Sequence, residues 1–399
     1  MTVDGVAAAQ VARPETVAQV QDVVRDAAAR RRAIVACGTG AHLDIGAVPA
    51  RVDVLVALDR LDRVVDHQAA DMTVTVEAGC RLSVLSETLA RAGQWLPLDP
   101  PRPEATTVGG LVAANLSGSL RASQGRVRDL LLGLRTVDAE GALVAGGGRV
   151  VKNVAGYDLP KLHVGALGTL GPIVEATFKV RPRPAREEAV VIACRAVELA
   201  AETALATLAG IVEPFWLEIA GPGELPEGPG EAAAVVVGLA GLEEEVTDAR
   251  DRLLAQARAR GVRAIPVSDG AALRTELGAF PVRPAAAVLR AAMLPSDVGA
   301  FLARVSRSGT PVRSVGHAAN GVVRIAVADD DAVPGLVATL RPELEARGGS
   351  LVVERATPAV KARVDVWGDP GPGAELMRAV KRAFDPHGMF APGRFVCGI

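Results

Sequence analysis

Val151-Lys152-Asn153-Val154-Ala155-Gly156-Tyr157-Asp158-Leu159 is the stretch on which the reading of this sequence turns. It opens a segment, 151–171, that is rich in glycine yet carries many distinctive polar residues, among them the only tyrosine of the chain. Immediately downstream, 173–180 reads as a strand. Arg181-Pro182-Arg183-Pro184 stops it, because proline gives up its N–H and biases the preceding residue away from helix. That stretch is the best domain boundary in the sequence.

Upstream, 130–137 and 142–145 flank the turn residues 138–141 as a hairpin. Before them lies a glycine-rich apolar stretch, 106–118, and before that 96–103, whose four prolines exclude helix and central strand. An amphipathic helix over 83–92 ends at Gly93. Met72, Val74 and Val76 alternate with Thr73, Thr75 and Glu77 in the two-residue period of a strand over 72–78. Further strands are expected over 52–58 and 33–37, and Thr16 can cap a helix carrying Val17, Val20, Val24 and Ala27 at helical spacing.

Beyond the boundary the grammar becomes strand–helix alternation. Strands are predicted over 190–194, 235–239, 288–293 and 322–327, and helices over 196–208, 243–260, 295–308 and 331–347. The pattern implies a mixed sheet with helices on one face. A last helix over 373–384 precedes the tail. The sequence shows no low-complexity segment and no strong internal repeat.

At 399 residues the chain has room for two or three domains, and its 49% apolar content allows a substantial core. A net charge of −2 gives no electrostatic case for nucleic acid or an anionic membrane as main partner. Cys37, Cys80, Cys194 and Cys397 are scattered, so a cysteine-ligated cluster or structural zinc is not expected. The start carries Asp4 and no basic region, unlike a signal peptide. The longest apolar stretch, 232–242, falls short of the ~18 residues a membrane helix needs. The chain therefore reads as cytoplasmic with reduced thiols, any membrane association running through a partner.

Two loops have the composition to receive phosphate. Ala36-Cys37-Gly38-Thr39-Gly40-Ala41-His42 runs from a strand into small residues whose amides can converge on a diphosphate. It is not a GxGxxG, since Leu43 stands where the third glycine would be, and alone it fits a structural turn equally well. Glu104-Ala105-Thr106-Thr107-Val108-Gly109-Gly110-Leu111 puts hydroxyls before a glycine pair that opens a short apolar helix. This suits an anion at a helix N-terminus or close packing of that helix start. A third glycine-rich loop follows at Gly165-Ala166-Leu167-Gly168-Thr169-Leu170-Gly171.

The order of these elements resembles the vanillyl-alcohol-oxidase (PCMH-type) FAD-binding family. Leu96-Pro97-Leu98-Asp99-Pro100-Pro101, Gly125-Arg126-Val127-Arg128-Asp129-Leu130-Leu131-Leu132-Gly133, the 151–159 stretch and Pro392-Gly393-Arg394 are similar to one branch of it. That branch is the smaller FAD-binding subunit of bacterial three-subunit glycolate oxidases. The resemblance implies an α+β fold: a PCMH-type FAD-binding domain of two α+β subdomains over 10–184, then a smaller α+β cap domain over 185–370. A C-terminal helix and tail over 371–399 would return to the flavin domain. It implies FAD contacts at Gly38, Thr39, Gly40, Ala41 and His42, at Thr106, Thr107, Gly109 and Gly110, and at Ser117, Gly118, Arg126 and Asp129. Ile173, Val174 and Arg394 complete the set. His42 lies one residue past the place where covalently tethered relatives carry histidine, so noncovalent FAD is expected.

Oxidation of a small 2-hydroxy acid needs a cation for the carboxylate, a base for the hydroxyl proton and a flavin to accept hydride. Arg290 is the candidate for the carboxylate, with an outward-facing surface arginine as the alternative. Tyr157 and Lys152 are candidates to line the flavin's reactive face, although Tyr157 equally suits a packed aromatic. Substrate-oxidising relatives place paired histidines and an acid around a divalent metal. Here His317 has no second histidine where Arg324 stands, and Glu354-Arg355 offers an acid without one, so no metal is expected. His67, His163 and His387 read as structural or surface residues.

The expectation is thus an FAD-dependent oxidoreductase subunit of a glycolate oxidase or dehydrogenase complex. Its partners would be a larger FAD-binding subunit and an iron–sulfur subunit. The alternatives are a self-sufficient flavin oxidase of another small hydroxylated substrate and a noncatalytic assembly subunit.

Overall fold

The computed structural model describes residues 1–149, 157–225 and 232–399. Of the stretch quoted first, Tyr157, Asp158 and Leu159 are described, whereas Lys152 and its neighbours lie outside the described residues. The chain divides into two compact units: Met1–Ser117, Gly125–Arg183 and Asp365–Ile399 form one, Gly118–Gln124 and Pro184–Val364 the other.

The first unit carries two larger sheets, beside the two-stranded pairings of Thr2–Val3 with Val6–Ala7 and of Gln94–Trp95 with Arg181–Pro182. Helix Val17–Ala29, capped by Thr16 at the Gln19 amide, connects Gln10–Ala12 to Ile34–Cys37, and both strands pair in parallel with Val54–Ala57 between them. Val54, Leu55, Val56 and Ala57 are all buried, as a central parallel strand covered on both faces requires. The C-terminal tail closes this sheet: Ile34 N–H donates to Met389 O, and Ala391 N–H to Ile34 O, each at 2.7 Å. The buried Asp385 carboxylate accepts from the Met389 and Phe390 amides and from Lys381 Nζ, which fixes the bend at the end of helix Ala374–Phe384.

The second sheet is antiparallel, ordered Leu143–Gly147, Leu131–Val137, Ile173–Lys179, Thr73–Glu77, Val64–Gln68. Val74, Val76, Leu134 and Phe178 share one core with Val108, Leu111 and Val112 of helix Val108–Ala114. The alternation over 72–78 would turn Thr73, Thr75 and Glu77 to solvent, but they are buried too. The Thr75 and Thr177 hydroxyls bond at 2.9 Å, and Glu77 receives Arg63 Nη2 at 2.7 Å, so polar side chains are buried with their partners supplied.

The second unit is built on one eight-stranded sheet. Its order is Ala264–Val267, Arg186–Cys194, Ala233–Gly241, Trp216–Ala220, Val312–His317, Val322–Val327, Ala287–Ala292, Ser350–Ala356. Every pairing is antiparallel, where a mixed sheet was expected. Helices Val197–Leu208, Glu243–Ala259, Val298–Ser306 and Ala332–Glu345 each connect two strands of the same sense that lie two apart in the sheet. An oppositely running strand lies between them, and strand–helix alternation in sequence does not reveal that intervening strand. Helix Val298–Ser306 packs on the face made by Ile219, Gly316 and Val323. Glu218, His317 and Arg324, one residue along each strand, therefore point to the opposite face. Among the described residues, no helix is long and apolar enough to cross a membrane.

Candidate functional site

In the first unit, the loop after Ile34–Cys37 wraps a cavity that residues 35–43 share with Thr107, Gly110, Leu167 and Arg394. Gly38 lies against Thr107 so closely that an added Cβ would stand 2.2 Å from Oγ1, and Gly40 holds φ +86°. Thr39 Oγ1 donates to Ala105 O. The Thr106 hydroxyl donates to Pro101 O at 2.9 Å, so at 2.7 Å from His42 Nε2 it accepts, and the imidazole carries its proton on Nε2. The two loops are thus tied to each other by side chains.

They differ in what their amides do. At the second loop, Val108 N–H donates to Cys80 O, Gly109 N–H to Ala78 O at 2.7 Å, and Gly110 N–H to Thr107 Oγ1. The helix start expected to offer its amides to phosphate has spent them on its own packing. At the first loop, the amides of Gly38, Thr39 and Gly40 have no hydrogen-bond partner among the described residues. Arg394, 3% exposed, joins them in the same cavity. Its Nη2 donates to Leu43 O at 2.9 Å and to Ile45 O, while Nε and Nη1 have no partner among the described residues. Burial lowers its pKa, against the opposing charges of Asp4 and Asp44. Open amides beside a buried guanidinium with unused donors fit the diphosphate of a dinucleotide.

The remaining expected contacts are dispersed. Arg126 N and Nε both donate to Asp129 Oδ2, which caps the short helix Val127–Leu130 at the surface. Ile173 and Val174 are buried in their strand, with Val174 O accepting from the Ala78 amide. Ser117 is half-buried in the first unit, and Gly118 falls in the second. Tyr157 is 91% exposed. His163 is buried against the Phe384 ring, and desolvation pushes its pKa down to about 4.

In the second unit, the sheet face away from helix Val298–Ser306 carries a chain of charged and hydrogen-bonded side chains. Glu218 Oε1 lies 2.6 Å from His317 Nδ1, and His317 Nε2 faces Arg324 Nη1 at close range. A guanidinium only donates, so Nε2 accepts and Nδ1 carries the proton given to Glu218. Arg324 also holds Glu354 in a fork, Nε to Oε2 at 2.7 Å and Nη2 to Oε1 at 3.1 Å. Burial raises the Glu354 pKa, but Arg324, Arg290 and Arg355 together carry it down to about 2. Arg290, the strand neighbour of Arg324, stands 4.0 Å from Glu354 Oε1 with its side chain 31% exposed. Sequence reading named His317, Arg324, Glu354 and Arg290 separately and overlooked Glu218. Its signal was a lone acid within the apolar run Trp216–Ala220.

Residues 8–147 match the family model described as FAD binding domain. This region is an FAD-binding domain of the PCMH type. FAD is its cofactor. Over 183 residues the chain is 34% identical to a D-2-hydroxyglutarate dehydrogenase of Xanthomonas citri pv. viticola, a match covering 46% of this chain and 39% of that one. It is 43% identical over 122 residues to glycolate oxidase subunit GlcE of Escherichia coli, covering 30% of this chain and 35% of that one. Glycolate oxidase subunit GlcD of Bacillus subtilis aligns at 24% identity across 96% of this chain and 88% of its own length. The first two matches thus span little more than a third of those proteins. Among solved structures, an alkyldihydroxyacetonephosphate synthase superposes with a TM-score of 0.70 at 19% identity, over 96% of this chain and 77% of that one, a likeness of fold.

Proposed function

We propose that this chain is the FAD-carrying smaller subunit of a glycolate oxidase or dehydrogenase complex. It would work with a larger FAD-binding subunit and an iron–sulfur subunit in the oxidation of glycolate or a related 2-hydroxy acid. The observation that favours a subunit over a self-sufficient oxidase is the state of His317. It is the one histidine of the unit that carries the candidate carboxylate anchor Arg290, and both its nitrogens are engaged, one by Glu218 and one by Arg324. A general base must have an open acceptor within reach of the substrate hydroxyl. FAD supplies the hydride-accepting chemistry when bound. The chain's own residues hold it noncovalently through the Gly38–Gly40 amides and Arg394, while His42 is occupied in joining its loop to Thr106. Arg290 meets the substrate carboxylate with donors that Glu354 leaves open at 4.0 Å.

The test is anaerobic reduction of the purified yellow protein. Glycolate or D-lactate should leave the flavin oxidised with the chain alone and bleach it once the larger and iron–sulfur subunits are added. Bleaching by the chain alone would establish the self-sufficient oxidase instead, and a colourless chain unable to take up FAD would establish the assembly subunit.

A further inference from the structure

The cluster on the sheet face of the second unit has the arrangement of a metal centre whose cation is part of the chain. A histidine that ligates a metal characteristically gives its other N–H to a carboxylate, which fixes the tautomer and turns the acceptor nitrogen towards the cation. Glu218 does this to His317 at 2.6 Å. On the acceptor side stands the guanidinium of Arg324, and the same guanidinium takes both oxygens of Glu354, at 2.7 and 3.1 Å. His317 and Arg324 are 6% and 7% exposed, so water supplies little of this solvation. A nitrogen and a carboxylate converging on one buried positive group form a donor set suited to a borderline divalent ion.

We propose that Arg324 is the built-in cation of this site. It satisfies His317 Nε2 and Glu354 at the position a divalent metal would take, so the native chain needs none there, and removing the guanidinium uncovers a divalent-metal site. The site is short of one ligand for a stable centre, which a histidine at position 324 would supply. Arg290, 4.0 Å from Glu354, opposes an added dication and selects for an ion held by strong ligands. The inference does not depend on which acid is oxidised or on how FAD is held.

Cobalt(II) is the probe, because its visible absorption reports nitrogen and oxygen ligation and its paramagnetism reports proximity. In the FAD-loaded wild-type chain with 15N-labelled histidine, cobalt should leave the His317 imidazole signals sharp. Broadening of those signals at stoichiometric cobalt would overturn the proposal, and this measurement requires no variant to fold. Arg324→His should bind one cobalt per chain at least 100-fold more tightly than wild type, with a new visible band, and His317→Ala in that background should abolish both. Arg324→Ala should bind either methylguanidinium or cobalt, each displacing the other. A folded Arg324→His chain, judged by its flavin content, that takes up cobalt no better than wild type would also sink the idea.

Discussion

The two candidate centres of this protein treat polar groups in opposite ways. Around the 38–43 loop, the amides of Gly38, Thr39 and Gly40 and two nitrogens of the buried Arg394 have no partner among the described residues. On the sheet face of the second unit, Glu218, His317, Arg324 and Glu354 answer one another, although the second oxygen of Glu218 has no partner among the described residues. An unsatisfied buried donor costs about 1–3 kcal/mol, and a site keeps several of them where a ligand will complete them. The first centre is unfinished without a cofactor. The second, Glu218 Oε2 apart, is closed by its own guanidinium, so its positive charge comes from the chain.

That contrast can be broken at several points. Glu354→Gln leaves Arg324 and Arg290 side by side in neighbouring strands without the charge between them. Breaking a buried pair by removing one partner costs about 3–5 kcal/mol, and urea titration should show a loss of that size. A change under 1 kcal/mol would mean the network is not what holds this face.

Acid should separate the two units. His163 has a pKa of about 4 in the folded chain against an ordinary 6.5, so the unfolded state binds the extra proton first. Its contribution is complete above pH 6.5 and fades as pH falls towards 4, amounting to about 3 kcal/mol at most. For Glu354, at about 2 against an ordinary 4.5, the corresponding window is from pH 4.5 down to 2. Hydrogen exchange at pH 5 should therefore show protection falling in the first unit while the second unit's sheet stays closed. His163→Leu should flatten the loss in the first unit, and an unchanged pH profile in that variant would remove His163 from the account.

Arg394→Met removes the buried guanidinium that lines the 38–43 cavity. Charge-assisted hydrogen bonds are worth about 1.5–3 kcal/mol, so the affinity for FAD should fall about 10- to 100-fold. Fluorescence titration of the apoprotein checks this, and an unaltered dissociation constant would restrict Arg394 to tying down Leu43 and Ile45. The smallest effect is expected at Thr107→Ala. It loses the cap on the Gly110 amide, about 1 kcal/mol of stability, while the flavin is retained because those amides are already used internally. Loss of flavin in a stable Thr107→Ala chain would put the second loop back in contact with phosphate.

Much of the first unit was legible because its signals are local. Thr16 with Val17, Val20, Val24 and Ala27 gave the first helix, and the turn residues 138–141 gave the hairpin. Trp216–Ala220, Val312–His317 and Ser350–Ala356 escaped. Their apolar pattern is broken by Glu218, by Ser314 and Gly316, and by Glu354-Arg355, and two of those breaks, Glu218 and Glu354, are members of the ion chain. In two of the three strands, a residue that spoils the apolar pattern is one with a charged partner to meet.

The sequence by itself determined the ingredients: glycine loops after strands, an arginine near the C-terminus, one histidine where a pair would make a metal site, and the order of elements that marks the FAD-binding domain. Tertiary structure alone decided which groups remain available. The amides of Gly109 and Gly38 are equally open on paper, yet one is spent on Ala78 O and the other is not. Arg324 and His317 are seven residues apart on adjacent strands. Their meeting depends on a register that packing sets, and so does the match of one guanidinium to both His317 and Glu354.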